Sequence, residues 1–254
     1  MLNPKLAAQD FPTTEIRPGV IFPDWTVVRS AQARDALLAI LGAFRADECW
    51  RGYSPNEDVV RSSIIRHYAA AGSAPSLAEL GAATRLPQDL LRSLLQQLRD
   101  RDLVVMDEER IVGAYPLTSR KTEHQVRLGG KTVYAMCAVD ALGVGAMLGR
   151  DIEVGSACRH CQAAITVATS GAGTALATIA PAGTLVWSGA RTGAGCAADT
   201  LCTVIAFFCS PAHLEAWDSA DHPHGPGYRL SLDEALQVGR AIFGPTLAGL
   251  GTAL

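Results

Sequence analysis

A change of texture near residue 115 constrains the fold of this chain more than any other feature. Before it, apolar residues recur at helical spacing; after it, they fall in short alternating runs cut by Gly, Ser and Pro. Residues 1–24 carry Pro4, Pro12, Pro18 and Pro23 and read as an extended lead-in. Residues 24–44 place Val28, Ala31, Leu37, Leu38 and Leu41 on a helical pattern, with Asp24 as its N-cap. After a turn-rich break at 51–56, residues 57–71 predict a second helix with Val60, Ile64, Ile65 and Tyr68 on one face.

Ser76 followed three residues later by Glu79 has capping-box spacing, and the short helix it starts runs to Thr84. Arg85-Leu86-Pro87 makes a turn, and Pro87 suits the first position of a helix over 88–99 with Leu90, Leu91, Leu94, Leu95 and Leu98 facing inward. A hairpin follows, formed by 103–106 and 111–112 around the turn 107–110. Helices, a helix-turn-helix and a wing together predict a winged-helix-like module. Its would-be recognition helix carries Arg92 and Arg99 but also Asp89, with Asp100 and Asp102 next in line. DNA binding needs several uncompensated phosphate contacts, so a scaffold role is expected and no DNA partner.

Residues 122–128 alternate, Gly129-Gly130 signals a hairpin turn, and 131–134 returns. A small-residue apolar helix then ends at Gly149, and strands are expected over 151–155, 165–168, 175–179 and 185–187. Residues 189–198 read as a loop, and 200–208 as an apolar strand with Cys202 at its middle. Ser210 caps a helix with Pro211 at its first position and Trp217 near its end. A Pro/Gly loop holds His222 and His224, which are expected to be solvated, and Ser231 caps a last helix over 232–243. The expected class is α+β: an N-terminal extension and first helix (1–56), a winged-helix-like module (57–118), and a catalytic domain on a mixed β-sheet with flanking helices (119–254).

The 254 residues are 48% hydrophobic and 19% charged with net charge −3, which fits a globular chain without affinity for polyanions. No window approaches the about 18–20 unbroken apolar residues of a membrane span, so no membrane partner is expected. The first ten residues lack a basic region followed by an apolar core, so a cytoplasmic location is expected. Seven cysteines without an export signal argue against a disulfide framework and for thiols that pack, ligate metal or react. Neither a Walker loop nor a Gly-x-Gly-x-x-Gly after a strand occurs, and nucleotide cofactors are not expected.

The stretch Tyr134-Ala135-Met136-Cys137-Ala138-Val139-Asp140-Ala141-Leu142 is the strongest candidate for chemistry. If it is helical from about Ala135, Cys137 and Asp140 are i,i+3 neighbours, a soft metal ligand beside a proton carrier. A buried packing cysteine with an ordinary surface acid fits those nine residues as well.

Wider matches favour the first reading. The stretch 134–140, then Leu148-Gly149-Arg150, Val154-Gly155-Ser156-Ala157-Cys158, the turn Pro181-Ala182-Gly183, Cys202 ahead of Phe207-Phe208, and Ala216-Trp217 occur in one order. In these features, over roughly 76–243, the chain resembles the organomercurial (alkylmercury) lyases. The resemblance implies Cys137 and Cys202 as thiolate ligands of mercury, Asp140 as a proton carrier that also faces the metal, and Cys158 as a structural cysteine. It implies an organomercurial substrate and no required cofactor. Hg(II) would remain as bound product, removed by low-molecular-weight thiols or a mercuric reductase.

Two positions depart from the family pattern. Met136 stands where a tryptophan is usual, and Thr203 where another cysteine is frequent. Cys158-Arg159-His160-Cys161 is a further candidate metal site, although a complete zinc site would want a second such pair. Cys196 and Cys209 are available, but their spacing predicts nothing. A thiolate metal-binding or sensing protein without turnover is the rival reading, and a winged-helix regulator a third.

Overall fold

Serine side chains set most of the helix starts in the computed structural model, which describes residues 12–190, 193, 195–219 and 226–250. Ser30 caps α1 (Ala31–Ala43), and Ser54, Ser76 and Ser231 form complete capping boxes on α3 (Pro55–Ala71), α4 (Leu77–Thr84) and α8 (Leu232–Phe243). The expected His222/His224 loop and the first eleven residues lie outside the described residues.

The N-terminal quarter departs from expectation. The lead-in contains a hairpin, β1 (Thr14–Arg17) and β2 (Val20–Phe22). Asp24 caps only the 3-10 turn Trp25–Val27, and α1 begins at Ser30. The reason is a competing acceptor, because the buried Gln237 Oε1 takes the Arg29 N–H at 2.7 Å and so holds the intervening backbone outside the helix. A short α2 (Ala46–Trp50) fills the span before the turn-rich break. Arg17 pins this region to α3 and to the 3-10 turn Gly244–Thr246, pairing with Asp58 at 2.7 Å and donating to the Pro245 and Thr246 carbonyls.

Amphipathic α5 (Gln88–Asp100) buries Leu91, Leu94, Leu95 and Leu98, while Leu90, expected inward, is exposed. Arg101, just past α5, pairs with the buried Glu57 at 2.6 Å and caps the Cys49 and Arg51 carbonyls, tying α2 and α3 to α5. The chain then enters an eight-stranded sheet. Its strands are β3 (Val104–Asp107), β4 (Arg110–Ala114), β5 (Leu117–Thr118), β6 (Gln125–Leu128), β7 (Lys131–Ala135), β8 (Glu153–Ala157), β9 (Ala164–Ser170) and β10 (Ala175–Ala180). They lie in the order β10-β9-β8-β6-β7-β5-β4-β3. A second sheet is built from β11 (Leu185–Gly189), β12 (Ile205–Phe208) and β13 (Gly227–Ser231) in the order β12-β11-β13.

A mixed sheet was expected, yet every pairing among the described residues is antiparallel. Most neighbours are joined by short turns, and parallel pairing would require crossover connections. Strand β13 was not expected, because its start lies in the Gly/Pro run read as a loop. Among the described residues no helix is long and apolar enough to cross a membrane.

The helix α6 (Ala138–Leu148) is buried along nearly its whole length, as its small apolar residues require. It touches β6 and β7 of the large sheet, β11 and β12 of the small one, and α8. The crossing with α8 is a glycine-on-glycine contact. A Cβ on Gly239 would lie 2.8 Å from the Val139 carbonyl oxygen, and one on Gly143 would lie 2.7 Å from the Gly239 oxygen. Backbone atoms set these distances, so no side-chain rotation relieves them.

Gly239→Ala should therefore destabilise the fold by about 1–3 kcal/mol in urea or thermal unfolding. Gly81→Ala, where an added Cβ meets nothing on α4, should leave stability unchanged or raise it by up to ~1 kcal/mol.

Candidate active site

Strand β7 delivers the chain to the N-terminus of α6, and the first candidate residues sit at that junction. Cys137 is extended (φ −148°, ψ 179°) and is the N-cap of α6. It is not one of its helical residues, as a helix from Ala135 would have made it. Its Sγ accepts the Asp140 N–H at 3.4 Å. Cysteine takes the place usually held by Ser, Thr or Asp, and Asp140 falls on the first turn, where the helix dipole favours negative charge.

Cys202 was expected at the middle of a strand. It instead opens the 3-10 turn Cys202–Val204, and β12 begins only at Ile205. Two local bonds hold the turn: Val204 N–H donates to the Leu201 oxygen at 3.1 Å, and the Thr203 hydroxyl to the Thr200 oxygen at 2.6 Å. The turn aims Cys202 Sγ at Asp140 Oδ2, 3.7 Å away. The ligand atoms of Cys137, Asp140 and Cys202 all lie within 4.8 Å of one another, and all three residues are buried.

Burial dominates the electrostatics of Asp140. It raises the Asp140 carboxyl to about 7, although hydrogen bonds from both thiols and the backbone pull the other way. Burial likewise pushes the Cys137 thiol up. The Cys202 thiol is held well above its ordinary range, first by its hydrogen bond with Cys137 and then by burial. At neutral pH the trio therefore carries two thiols and a carboxyl group near its midpoint.

The trio faces a cavity of about 60 Å³, room for roughly four water-sized groups. Its far wall comes from the N-terminal region, through Phe22, Ile40, Phe44, Trp50 and Arg61. No motif in the sequence marks these residues. Their one signal is a concentration of aromatic residues, Phe22, Trp25, Phe44, Trp50 and Tyr53, which reads equally well as core. Arg61 is 4% exposed, with its guanidinium carbon 5.0 Å from the centre of the Trp50 ring.

A further wall residue, Tyr115, secures the loop before Cys202. Its hydroxyl donates to Asp102 Oδ1 at 2.9 Å and accepts the Ala198 N–H at 2.8 Å, while Asp102 Oδ2 takes the Ala197 N–H at 2.6 Å. Of the two departures from the family pattern, Met136 is buried with its methyl group over Gly113. Thr203 is spent on the local bond just described.

A second group of side chains, separate from the trio, also has metal-ligand geometry. Cys158, Cys161, Cys209 and His213 bring four ligand atoms within 4.8 Å of one another. The Cys-x-x-Cys spacing marks the first two in the sequence, without a partner pair. The partners are Cys209, after β12, and His213 on α7 (Pro211–Ser219). Burial raises the Cys158 thiol, but the N–H groups of Cys161, Cys209 and His160 and the His213 ring outweigh it and bring the thiol down to about 6. Cys49 and Cys196 belong to neither group. The first donates to the Phe44 oxygen at 3.2 Å and the second to Asp199 at 3.1 Å.

Comparison with known proteins gives the chain a family. The family model described as alkylmercury lyase matches residues 117–244. The alkylmercury lyase of Staphylococcus epidermidis is 26% identical over 171 residues, which is 67% of this chain and 76% of that protein. The enzyme of the same name from Pseudomonas putida is 31% identical over 117 residues, 46% of this chain and 54% of its own length. A crystal structure described as the mercury-bound form of MerB2 superposes with a TM-score of 0.67 at 23% identity, covering 86% of this chain and 100% of that one. Cys137, Asp140 and Cys202 all fall inside the matched segment, which spans half of the sequence, and the chain belongs to the alkylmercury lyase family.

Proposed function

We propose that this protein cleaves the carbon–mercury bond of small organomercurials by protonolysis, with Cys137 and Cys202 as mercury ligands and Asp140 as the proton relay. The observation that carries this reading is the buried trio, two sulfurs and a carboxylate within 4.8 Å of one another at an apolar cavity.

Mercury(II) is very soft and prefers thiolates to oxygen or nitrogen ligands. An incoming R–Hg–X exchanges its ligand X for one cysteine sulfur, and ionised Asp140 takes the thiol proton. The second cysteine then binds the same mercury atom, and its thiol proton leaves with X as HX. Two thiolates donate density toward the Hg–C bond, and the carbon leaves with the Hg–C electron pair as it accepts the proton from Asp140. The balance is R–Hg–X plus two thiols giving RH, HX and mercury held by two thiolates, with mercury at +2 throughout. No resident cofactor is needed.

A carboxyl near 7 is suited to both halves of this relay, because it takes and gives a proton with little driving force either way. The bound Hg(II) passes to low-molecular-weight thiols or a mercuric reductase. This reading places the protein in the cytoplasm, where such thiols stay reduced.

Residues 57–118 act in this reading as a winged-helix-like scaffold that walls the site. Arg92 pairs with Glu109 and Arg101 with Glu57, which leaves α5 poorly equipped to grip phosphates. The rival, a thiolate mercury-binding protein without turnover, shares the trio and is separated from a lyase by hydrocarbon release.

Asp140→Asn should retain stoichiometric Hg(II) binding and lose about 10²–10⁴-fold in hydrocarbon release from an organomercurial with excess thiol. Cys137→Ser should lose both. Normal turnover by Asp140→Asn would defeat the relay.

The pH dependence has a definite sign. The folded carboxyl is raised from 3.8 to about 7, so proton abstraction strengthens as Asp140 ionises. The second-order rate constant should rise to a plateau with a midpoint near 7. Stability runs the other way. The contribution of protonated Asp140 is complete below about pH 4 and is lost as pH rises to about 7. The melting temperature of Asp140→Asn should gain on that of the wild type across this interval.

A further inference from the structure

We propose that Cys158, Cys161, Cys209 and His213 form a Cys3His site for a tetrahedral divalent ion, zinc, that staples the β8–β9 loop to the junction of β12 and α7. This site stands independently of the lyase reading and shares no residue with the trio.

Two of the three ligand distances suit four-coordinate zinc, and the third, the Cys209–His213 hydrogen bond, would lengthen by about 0.6 Å on loading. With Zn–S near 2.3 Å and Zn–N near 2.05 Å, a tetrahedron has S···S edges of about 3.8 Å and S···N edges of about 3.6 Å. Cys161 Sγ and Cys209 Sγ are 3.7 Å apart, and the His213 Nδ1 lies 3.0 Å from Cys209 Sγ and 3.9 Å from Cys158 Sγ. The donor set is three thiols and an imidazole with no carboxylate, a combination that selects zinc over magnesium, calcium or manganese.

The backbone is already formed for the purpose. Cys158 N–H donates to the Ala163 oxygen at 2.9 Å and Gln162 N–H to the Cys158 oxygen at 2.8 Å, closing a tight turn that carries Cys158 and Cys161. Gln162 takes the left-handed conformation (φ 61°) that the turn requires. Arg159 N–H donates to the Phe207 oxygen at 3.0 Å, which docks the turn on β12 before any metal is considered. The other two ligands come from a single i,i+4 pair, Cys209 after the end of β12 and His213 within α7. Buried Cys158 forms the floor, and exposed Cys161 leaves a route for loading the ion.

Such a staple has a place in the architecture. Strand β12 runs directly from the Cys202 turn to Cys209, and α7 begins two residues later. Its far end is otherwise held by hydrogen bonds to β11 and by the Arg159 contact. A metal there would fix the register of the strand that presents Cys202.

The test uses the full chain, expressed in zinc-supplemented medium, purified with a reductant that does not chelate zinc and desalted. Mass-spectrometric metal analysis should find about one zinc per chain. After chelation and addition of cobalt(II), the visible d–d bands of a tetrahedral ion and a thiolate-to-cobalt charge-transfer band should appear. The double variant Cys161→Ser/Cys209→Ser should retain less than about a tenth of the zinc and lose both cobalt bands, while Cys137→Ser keeps both.

Chelation should lower the melting temperature of the wild type and leave that of the double variant unchanged. If the double variant does not fold, His213→Ala serves, with weakened zinc retention and a shifted cobalt spectrum expected. A wild type without zinc or tetrahedral cobalt bands, zinc that survives the double variant, zinc that disappears in Cys137→Ser, or a Cys161–Cys209 disulfide in the purified protein would each overturn the proposal.

Discussion

A carboxyl group buried between two thiols at a largely apolar cavity is the interaction around which this molecule is arranged. Burial alone lifts Asp140 to about 7, and three parts of the fold cooperate to keep it buried. Helix α6 is inserted between the two sheets, so its first turn is shielded on both faces. The glycine contacts with α8 let that helix approach closely enough to exclude solvent. The N-terminal region closes the remaining side with Phe22, Phe44 and Trp50. Opening any of these to water would return the carboxyl toward its ordinary range.

The N-terminal region is thus part of the site's physics, although it lies outside the segment that the family model matches. Its attachment is polar. Arg17 bridges Asp58 and the C-terminal carbonyls, Arg101 gathers α2 and α3, and Asp102 with Tyr115 grips the backbone ahead of Cys202. Asp102 and Ala197 are distant in sequence and connect the end of α5 directly to the loop that presents the second sulfur. Movement of the helical region and displacement of Cys202 are therefore mechanically linked.

Local physics was legible in the sequence, and convergence was not. Ser76 with Glu79, Pro87, Gly129-Gly130, Gly149 and Ser231 each mark a boundary within a residue or two of where it falls, because caps and turns depend on neighbours in the chain. Cys202 was misplaced for the complementary reason. Residues 200–208 have the composition of a strand, but the Thr203 hydroxyl donates to the Thr200 carbonyl and stabilises a turn instead. Asp24 and Ser30 are both capping residues, and the choice of Ser30 as the start of α1 depends on Gln237, which is remote in sequence. Similarly, Cys158 and Cys161 read as half a metal site, while the completing pair lies on another element and is brought near by the docking of α7 against β12.

The two thiol-rich centres differ in ways that divide their chemistry. The trio offers two sulfurs and one oxygen, fully buried, which suits an ion satisfied by two linear thiolates and starves one that needs four ligands. The cluster at Cys158 offers three sulfurs and a nitrogen at the spacing of a tetrahedron, partly open to solvent, and has no carboxyl to donate a proton. Among the described residues no carboxylate joins this cluster, so mercury captured there would lack the proton donor that the trio has. Occupation by zinc would remove those thiolates from competition, since an ion must be displaced before mercury can enter. Under the proposed relay, the proton at Asp140, and not the number of sulfurs, is what would separate a cleaving centre from a merely binding one in this fold.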